Sequence, residues 1–390
     1  MQVVILSGGR GSRLNLITET LNKACIPIDG LPAIVHLIKS FEKTKFDKFV
    51  ILSGYKGEQI SKLVNYFLPD FDIKNIVTNP NFTPADRLLE AKNDLLKSEK
   101  ILLCYCDNII SKKDIEVIFS ESHQEKVLVA KRSEGNSTIN EFSRFRYMLD
   151  KSKNYPFSEL GFLYVDSKKF LTELSDVGDL PQAIMNYSIN NSVEGKQIMD
   201  YKSIADFNRY KVLRNGRNVV LIDRDGIINR NIGKGIYVKK IDEIKLIERN
   251  LNFLREISLE FNLDFIVISN QAGIERRMLT AEELNSVNSW IAAELLCYGV
   301  PLLAFYCCPH HWDSHCNCRK PKPGLLKKAI EDFDLKSTAT IFIGDQQSDV
   351  DAANNYNLKG FMLSESESDQ DWLFKVNSIK EYLRDINKRK

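Results

Sequence analysis

Two stretches of this chain share one pattern, in which an apolar run typical of a buried strand ends directly in a polar turn. VVILSGGRGSRL begins at residue 3, and NVVLIDRDGIINR begins at residue 218. Each is typical of the first strand of an α/β domain. The polar stretch KVLRNGRN lies between them and contains Gly216, which breaks regular structure. We therefore predict an N-terminal domain over residues 1–211, a linker over 212–217 and a C-terminal domain over 218–390.

Further apolar runs alternate with helical stretches in both predicted domains. FVILSG and ILLCYCD follow the first strand, and FIVISN and TIFIGD follow the second. This alternation predicts two doubly wound α/β domains built on parallel sheets. Ligands of such sheets bind at the carboxyl ends of the strands, so the turns that end these runs are the candidate site residues.

Composition and charge exclude several classes of protein. The chain has 390 residues, 43% of them hydrophobic, and a formal net charge of +2. These values suit two or three globular domains and indicate no surface for binding nucleic acid. No run of about 18 apolar residues occurs, and the chain begins with a strand instead of a secretory signal. We expect a cytoplasmic protein that does not insert into membranes, and the sequence does not predict its oligomeric state.

Residues 307–324, CCPHHWDSHCNCRKPKPG, hold four of the eight cysteines and three of the five histidines. One C-x-H pair and one C-x-C pair offer four ligands to a tetrahedral Zn²⁺. Four protein ligands leave no open position, so such a zinc would be structural. A disulfide or chance clustering is the alternative, and no secretory segment supports the disulfide. The predicted ligands are Cys308, His310, Cys316 and Cys318, with His311, His315 and Cys307 as possible substitutes.

Asp223 and Asp225 stand two residues apart at the end of a predicted buried strand. A lone pair of this kind can be a turn or a capping pair, but paired acids at a strand end also suit phosphoryl transfer. Asp223 would attack phosphorus, and Asp225 would protonate the leaving oxygen and then deprotonate the attacking water. Asp345, at the end of a later strand, would complete a Mg²⁺ site with Asp223 and the Asp225 carbonyl, with Asp349 nearby for support.

Two more residues fit the same chemistry. Ser269, at the end of the run FIVIS, offers a hydroxyl to the transferring phosphoryl group. Lys320 closely follows the predicted metal loop, residues 308–318, and offers a positive charge that would neutralise the phosphoryl group.

The motifs DRDGIINR, SNQAGI, CPHH with CNCRKPKPG, and GDQQSDVDAA resemble those of the haloacid dehalogenase (HAD) superfamily. Within it they are most similar to the zinc-bearing, histidinol-phosphatase-like branch that includes heptose bisphosphate phosphatases. The resemblance implies a HAD-like fold with a zinc loop. It also implies a nucleophile at Asp223, an acid/base at Asp225 and a Mg²⁺ ligand at Asp345. The residues implied to bind substrate are Ser269, Asn270, Gln271, Arg319 and Lys320. Gln346 departs from the lysine common in the family, which bears on substrate identity or anomer preference.

The segment SGGRGSRL follows the first strand of the chain. Its glycines would let the backbone approach a triphosphate closely, and Arg13 would neutralise the leaving pyrophosphate. The spacing differs from G-x-G-x-x-G. A dinucleotide-binding turn and a simple strand-to-helix connection remain alternatives.

The next segment, LNKACIPIDGLPAIVHLI, resembles the sugar-phosphate nucleotidylyltransferases. This resemblance implies a Rossmann-like nucleotidyltransferase fold and a catalytic lysine at Lys23. It implies that Asp107 and Asp200 hold Mg²⁺ on the nucleotide and that Gly161 lies in the sugar-binding loop. TPADRLLEA departs from the usual base-binding stretch of that family. The remaining residues expected to bind nucleotide are Leu6, Ser7, Gly8, Gly9, Gly11, Ser12 and Arg13.

Together the two resemblances imply a bifunctional enzyme of nucleotide-activated heptose synthesis. The C-terminal domain would hydrolyse D-glycero-D-manno-heptose 1,7-bisphosphate to heptose 1-phosphate, and the N-terminal domain would couple that product to an NTP. Its ligands would be sugar phosphates and NTP, and the similarity to fused heptose enzymes favours GTP. The alternative is a phosphatase of another small ester, such as histidinol phosphate, with a non-catalytic nucleotide-binding domain.

Overall fold

The computed structural model describes residues 1–14, 16–109, 115, 126–131, 157–194, 199–200, 217–233 and 235–388. The chain divides into two compact units. The first unit comprises Met1–Ser12, Asn22–Cys25 and Pro32–Lys202, and the second comprises Arg13–Leu21, Ile26–Leu31 and Ser203–Lys390. Arg13–Leu21 and Ile26–Leu31, which lie within the predicted N-terminal domain, thus group with the second unit. The predicted linker lies outside the described residues except for Arg217, and the boundary stays a prediction.

The first unit is built on a seven-stranded sheet. The strand order is β10-β8-β9-β6-β1-β4-β5. Strands β6, β1, β4 and β5 are parallel, as predicted, whereas β9 runs antiparallel to both of its neighbours. The strands are β1 (Gln2–Ser7), β4 (Lys48–Ser53), β5 (Asp72–Val77), β6 (Lys100–Tyr105), β8 (Lys126–Lys131), β9 (Phe157–Asp166) and β10 (Ser192–Glu194).

Two smaller strand pairs and seven helices complete the secondary structure described before residue 217. The pairs are β2 (Pro27–Ile28) with β3 (Leu31–Pro32), and β7 (Asn108–Ile109) with β11 (Met199–Asp200). The helices are α1 (Leu16–Thr20), α2 (Ala33–Lys39), α3 (Gly57–Phe67), α4 (Pro84–Glu90), α5 (Lys92–Leu95), α6 (Ser167–Val177) and α7 (Leu180–Asn191), with 3-10 turns at Ser12–Leu14 and Lys23–Cys25.

The central strand β1 is buried on both faces. Val4 and Leu6 belong to the core that also contains Leu88 of α4 and Phe170 of α6. Val3 and Ile5 are also buried, and they point to the other face because side chains alternate along a strand. The strand order reverses between β1 and β6, because β4 and β5 lie on one side of β1 while the next strand along the chain, β6, lies on the other. This is the topological switch point, where open α/β sheets bind ligands.

The second unit contains a five-stranded sheet that is parallel throughout, as predicted. The strand order is β14-β13-β12-β15-β16, which places the switch point between β12 and β15. The strands are β12 (Asn218–Ile222), β13 (Leu263–Asn270), β14 (Leu302–Cys308), β15 (Ile341–Gly344) and β16 (Lys359–Met362). The parallel pairing joins β12 to both β13 and β15. The predicted α/β class is therefore confirmed for both units.

The helices of this unit begin and end at residues suited to those positions. Helix α9 starts with a capping box, in which Thr280 and Glu283 satisfy each other's backbone N–H groups. Helix α8 ends at Asn262, which adopts the left-handed conformation at φ 57°. The helices that follow β12 are α8 (Glu248–Phe261), α9 (Ala281–Cys297), α10 (Gly324–Asp332), α11 (Gln347–Asn354) and α12 (Asp369–Lys388), with 3-10 turns at Ile241–Glu243 and Ser337–Ala339.

Among the residues that the structure describes, every helix is too short or too polar to cross a membrane.

Candidate active sites

Three carboxylates meet at the carboxyl ends of β12 and β15. Asp223 follows β12, Asp345 follows β15, and Asp349 lies in the first turn of α11. Each offers an oxygen within 4.8 Å of the others. Asp345 Oδ1 is buried and has no hydrogen-bond partner among the described residues. A buried oxygen without a donor beside two more carboxylates fits a hard divalent cation such as Mg²⁺.

Lys320 supplies the positive charge of this cluster. Its Nζ lies 2.9 Å from Asp223 Oδ1 and 2.7 Å from Asp349 Oδ1. It also donates a hydrogen bond to the carbonyl oxygen of Ile268, at 2.9 Å. The Asn270 side chain fixes the backbone of Lys320 by accepting from its N–H at 3.1 Å and donating to its carbonyl at 3.2 Å. The ammonium group is thus held rigidly against the two carboxylates.

The carboxylates outnumber the cations, and their pKa values reflect this. Burial raises the pKa of Asp223, and the charges of Asp349 and Asp225 raise it further, while Lys320 acts in the opposite direction. Burial and the charge of Asp349 raise the pKa of Asp345 to about 6. A divalent cation bound among these groups would favour their ionised forms.

Asp225 has a different environment from Asp223. Its carboxylate accepts hydrogen bonds from Arg224 Nη2, Asn229 Nδ2 and Gln271 Nε2, each at 2.9 Å. Burial alone would raise its pKa, but the Arg224 charge and these hydrogen bonds hold the pKa below its usual value. Asp225 is therefore ionised in the free protein.

The structure assigns Gln271, predicted to bind substrate, to a position behind the carboxylates. Its side chain is fully buried and also donates to Ser269 Oγ at 2.9 Å. Arg224 and Asn229 were not predicted from the sequence. Arg224 is 1% exposed. Its sequence signal is its position, since it is a charged residue between two aspartates at the end of a buried strand. Asn229 carries no comparable sequence signal.

A cavity of about 510 Å³ opens over these groups. This volume is in the range typical of sites for small molecules. Its walls come from the turns after β12, β13 and β15 and from the metal loop. Of the predicted residues, Asp223, Asp225, Ser269, Asn270, Arg319, Lys320 and Gln346 line it, and Asn231, Ile232, Gly233, Gly235, Ile236, Tyr237 and Val238 form another part of the wall.

The four predicted zinc ligands lie together in the metal loop. Cys308 Sγ is 3.7 Å from Cys316 Sγ and 3.4 Å from Cys318 Sγ, and His310 Nδ1 is 3.1 Å from Cys318 Sγ. Tetrahedral zinc–thiolate bonds place sulfur atoms about 3.8 Å apart, so the donor set fits this ion. The possible substitutes are not part of this cluster. His311 contacts Asp313, Cys307 accepts from Asn288 Nδ2, and His315 lies in the exposed part of the loop.

The first unit has its own charged pair at its switch point. Lys23 Nζ forms an ion pair with Asp107, the residue that follows β6 by two positions, and both side chains are largely buried. The backbone of Asp200 pairs with that of Asn108, directly after Asp107, in the β7–β11 ladder. The carbonyl oxygen of Gly161 accepts a hydrogen bond from Asn108 Nδ2 at 3.0 Å. Gly161 has a φ of 83°, and a side chain at this position would collide with the Asn108 amide.

The glycine loop follows β1 beside this pair. Leu6 and Ser7 end the strand, and Ser7 Oγ donates to Asn22 Oδ1 at 3.1 Å. Arg87 was not predicted. It is 3% exposed, and its guanidinium donates to the carbonyls of Gly8, at 3.2 Å, and Phe82, at 2.9 Å. Gly8, Gly9 and Gly11 form the loop, and Ser12 and Arg13 lie in the 3-10 turn after it.

Comparison with known families separates the two halves of the chain. Residues 3–174 match the family of MobA-like NTP transferase domains, and residues 317–387 match a HAD-hydrolase-like family. The chain thus joins an NTP transferase domain to a HAD-like phosphatase domain.

The chain is also similar to individual proteins. A D-glycero-β-D-manno-heptose-1,7-bisphosphate 7-phosphatase of Yersinia pestis is 32% identical over 185 residues, which covers 44% of this chain and 95% of the relative. The D,D-heptose 1,7-bisphosphate phosphatase from B. bronchiseptica, crystallised with magnesium and phosphate, is 25% identical over 37% of this chain and 80% of its own, with a TM-score of 0.35. The inositol-1-phosphate CTP transferase from T. maritima is 16% identical over 54% of this chain and 94% of its own, with a TM-score of 0.45.

Proposed function

Because this chain belongs to the family of D-glycero-β-D-manno-heptose-1,7-bisphosphate 7-phosphatases, we propose that its second unit releases the 7-phosphate of a heptose 1,7-bisphosphate. One observation carries the proposal. The buried Lys320 bridges Asp223 and Asp349 at the floor of a cavity that also exposes Asp225 and Ser269. A nucleophile, an acid/base and two phosphoryl-binding groups are thus gathered in one place.

The reaction proceeds in two steps. Asp223 attacks phosphorus, and the ester P–O bond breaks as Asp225 delivers a proton to the leaving sugar oxygen. Water then attacks the aspartyl phosphate while Asp225 accepts a proton, which regenerates the Asp223 carboxylate and frees inorganic phosphate. Because Asp225 is ionised in the free protein, the proton arrives with the substrate, whose negative charge raises the pKa of this carboxyl.

The surrounding residues hold charge and orientation through both steps. Lys320 and Ser269 donate hydrogen bonds to the non-bridging oxygens of the transferring group, and Gln271 and Asn229 keep Asp225 in place. Mg²⁺, held by Asp223, Asp345 and the Asp225 carbonyl with support from Asp349, would neutralise charge on the phosphoryl group. Zn²⁺ at the Cys308 cluster would have only a structural role.

The first unit, in this proposal, couples the resulting heptose 1-phosphate to an NTP. The sugar phosphate oxygen attacks the α-phosphorus, and pyrophosphate leaves. Lys23 stabilises charge on the α-phosphate, while Asp107 and Asp200 would hold Mg²⁺ on the nucleotide. The glycine loop contacts the phosphates, Gly161 contacts the sugar, and the resemblance to fused heptose enzymes favours GTP. A cytoplasmic location would suit these substrates and stays a prediction.

A phosphorus NMR time course tests both activities in one tube. The purified chain is mixed with Mg²⁺, both anomers of heptose 1,7-bisphosphate and the four NTPs. We expect the 7-phosphate signal to disappear first, and the doublets of a pyrophosphate-linked sugar to grow afterwards. The NTP that is consumed identifies the base.

Other outcomes of this experiment are equally informative. Phosphate release without a sugar nucleotide would reduce the first unit to a nucleotide-binding domain. In a parallel assay with histidinol phosphate, preference for that ester over the heptose ester would reject the substrate proposed for the second unit.

Replacement of a zinc ligand should destabilise the second unit. Cys316→Ser removes one of four ligands, and loss of a structural metal lowers the free energy of unfolding by roughly 4 kcal/mol or more. For a unit of this size that is a decrease in Tm of about 10 °C. Metal analysis and thermal unfolding measure the two effects, and we expect about one zinc per chain before the change.

Cys307→Ser is the matched control, because Cys307 lies in β14 directly before the cluster residue Cys308 but outside the cluster itself. It should keep the zinc. Equal loss of metal from both variants would refute the ligand set, and a freshly purified, active chain without zinc would remove the structural role.

A further inference from the structure

Arg276 lies between two aromatic side chains, one of which, Tyr237, lines the phosphatase cavity. Its guanidinium carbon is 5.5 Å from the ring centroid of Trp312 and 6.0 Å from that of Tyr237. Its Nη1 donates to the Tyr237 hydroxyl at 3.4 Å. These contacts hold the planar cation in one orientation, and among the described residues they leave most of its five N–H donors available.

The guanidinium faces a wall of the cavity. Tyr237 and Gly235 both line that cavity, and a Cβ atom at Gly235 would lie 3.4 Å from Arg276 Nη1. Gly273 lets the Tyr237 ring approach closely, because a Cβ atom there would be 2.8 Å from the ring. The two glycines therefore let this cation approach the wall of the cavity closely.

Arg276 forms no ion pair with any carboxylate in the described part of the chain. The neighbouring acid, Glu275, is engaged elsewhere, since its carboxylate accepts from the backbone N–H of His311 and from Ser314 Oγ. These bonds connect the turn after β13 to the metal loop, which brings Trp312 beside Arg276. A positive charge held in place but not neutralised is the usual preparation for an anionic ligand.

We propose that Arg276, oriented by Tyr237 and Trp312, binds the second phosphate of a bisphosphate substrate while the first is held by Lys320 and Ser269. The inference rests on the proposed phosphatase function and adds the group that selects bisphosphates over monophosphates. The inner phosphate undergoes the reaction, and the outer one contributes binding only. Arg276 is thus a specificity-determining residue that takes no part in bond breaking.

Binding and turnover are measured separately to test this. Calorimetry measures the affinities of two hydrolysis-deficient chains, Asp223→Asn and Asp223→Asn/Arg276→Met. Each chain is titrated with heptose 1,7-bisphosphate and, separately, with heptose 7-phosphate. Loss of one charge-assisted contact should weaken bisphosphate binding about 10- to 100-fold and leave monophosphate binding unchanged. With Asp223 present, Arg276→Met should raise KM for the bisphosphate and change kcat little, and Arg276→Lys should fall between the two.

Arg277→Met is the matched control, because Arg277 is exposed and adjacent but makes no contact with the rings of Tyr237 and Trp312 in the described part of the chain. It should bind both ligands as the parent does. Equal weakening of both ligands by Arg276→Met would indicate a structural role and overturn the inference, as would unchanged bisphosphate affinity. A further outcome is that the Asp223→Asn chain binds the bisphosphate more tightly than the monophosphate although the wild-type enzyme does not hydrolyse it. In that case the proposed function fails while the Arg276 subsite stands.

Discussion

Asp223→Asn will abolish phosphate release and leave sugar-nucleotide formation intact. The amide keeps the shape of the carboxylate but cannot attack phosphorus, and removal of a nucleophile lowers kcat by about 10⁴-fold or more. The variant should stay folded, because Lys320 Nζ remains 2.7 Å from Asp349 Oδ1 and is not left as an unpaired buried charge. Phosphate release from heptose bisphosphate and sugar-nucleotide formation from heptose 1-phosphate and GTP measure the two activities.

Asp351→Asn provides the matched control for this change. Asp351 lies on α11 close to the cluster in sequence, and its carboxylate accepts from Gln347 Nε2 at 2.8 Å without lining the cavity. Acid-quenched wild-type protein should carry the added mass of one phosphoryl group, which the Asp223→Asn chain should lack. Hydrolysis by the Asp223→Asn chain at a rate near that of wild type would remove Asp223 from the role of nucleophile.

The positions of the strand-end acids could be predicted because they depend on local pattern. An apolar run of five to eight residues that ends in aspartate gives both the strand and the edge of the sheet where the acid lies. This pattern places Asp223 and Asp345 at the same edge of the sheet, where the structure brings them together. The Cys/His cluster could be predicted from local sequence too, since its four members lie within eleven residues, and zinc binding there stays a prediction.

The roles of several residues around the strand-end acids depend on contacts that sequence order does not reveal. Lys320 reaches Asp223 from the end of the metal loop, and Gln271 is turned away from the cavity to hold Asp225. Arg276 has significance only because Tyr237 and Trp312 arrive from two other loops. Such assemblies are set by tertiary packing, which a local pattern cannot describe.

Strand direction in the first unit shows the same limit. The apolar pattern of a strand is the same whether it runs parallel or antiparallel to its neighbour, so the alternation of apolar runs does not reveal that β9 is antiparallel to β6. The grouping of Arg13–Leu21 with the second unit is likewise set by packing, because the sequence there continues directly from the first strand.

Lys23→Met should abolish sugar-nucleotide formation while phosphate release continues. Loss of a positive group aimed at a phosphoryl centre costs about 10²–10³-fold in kcat. The same change takes the ion-pair partner from Asp107, which is 8% exposed, so some loss of stability is also expected. Sugar-nucleotide formation from heptose 1-phosphate and GTP is measured beside thermal unfolding.

The double variant Lys23→Met/Asp107→Asn separates these two effects. It removes both charges of the pair, so stability should return toward that of wild type while the transferase stays inactive. Lys39→Met, on the exposed face of α2, is the matched control and should change neither property. Recovery of activity together with stability would mean that Lys23 acts only through folding. A folded Lys23→Met chain that no longer releases phosphate would contradict the assignment of the two reactions to two independent sites.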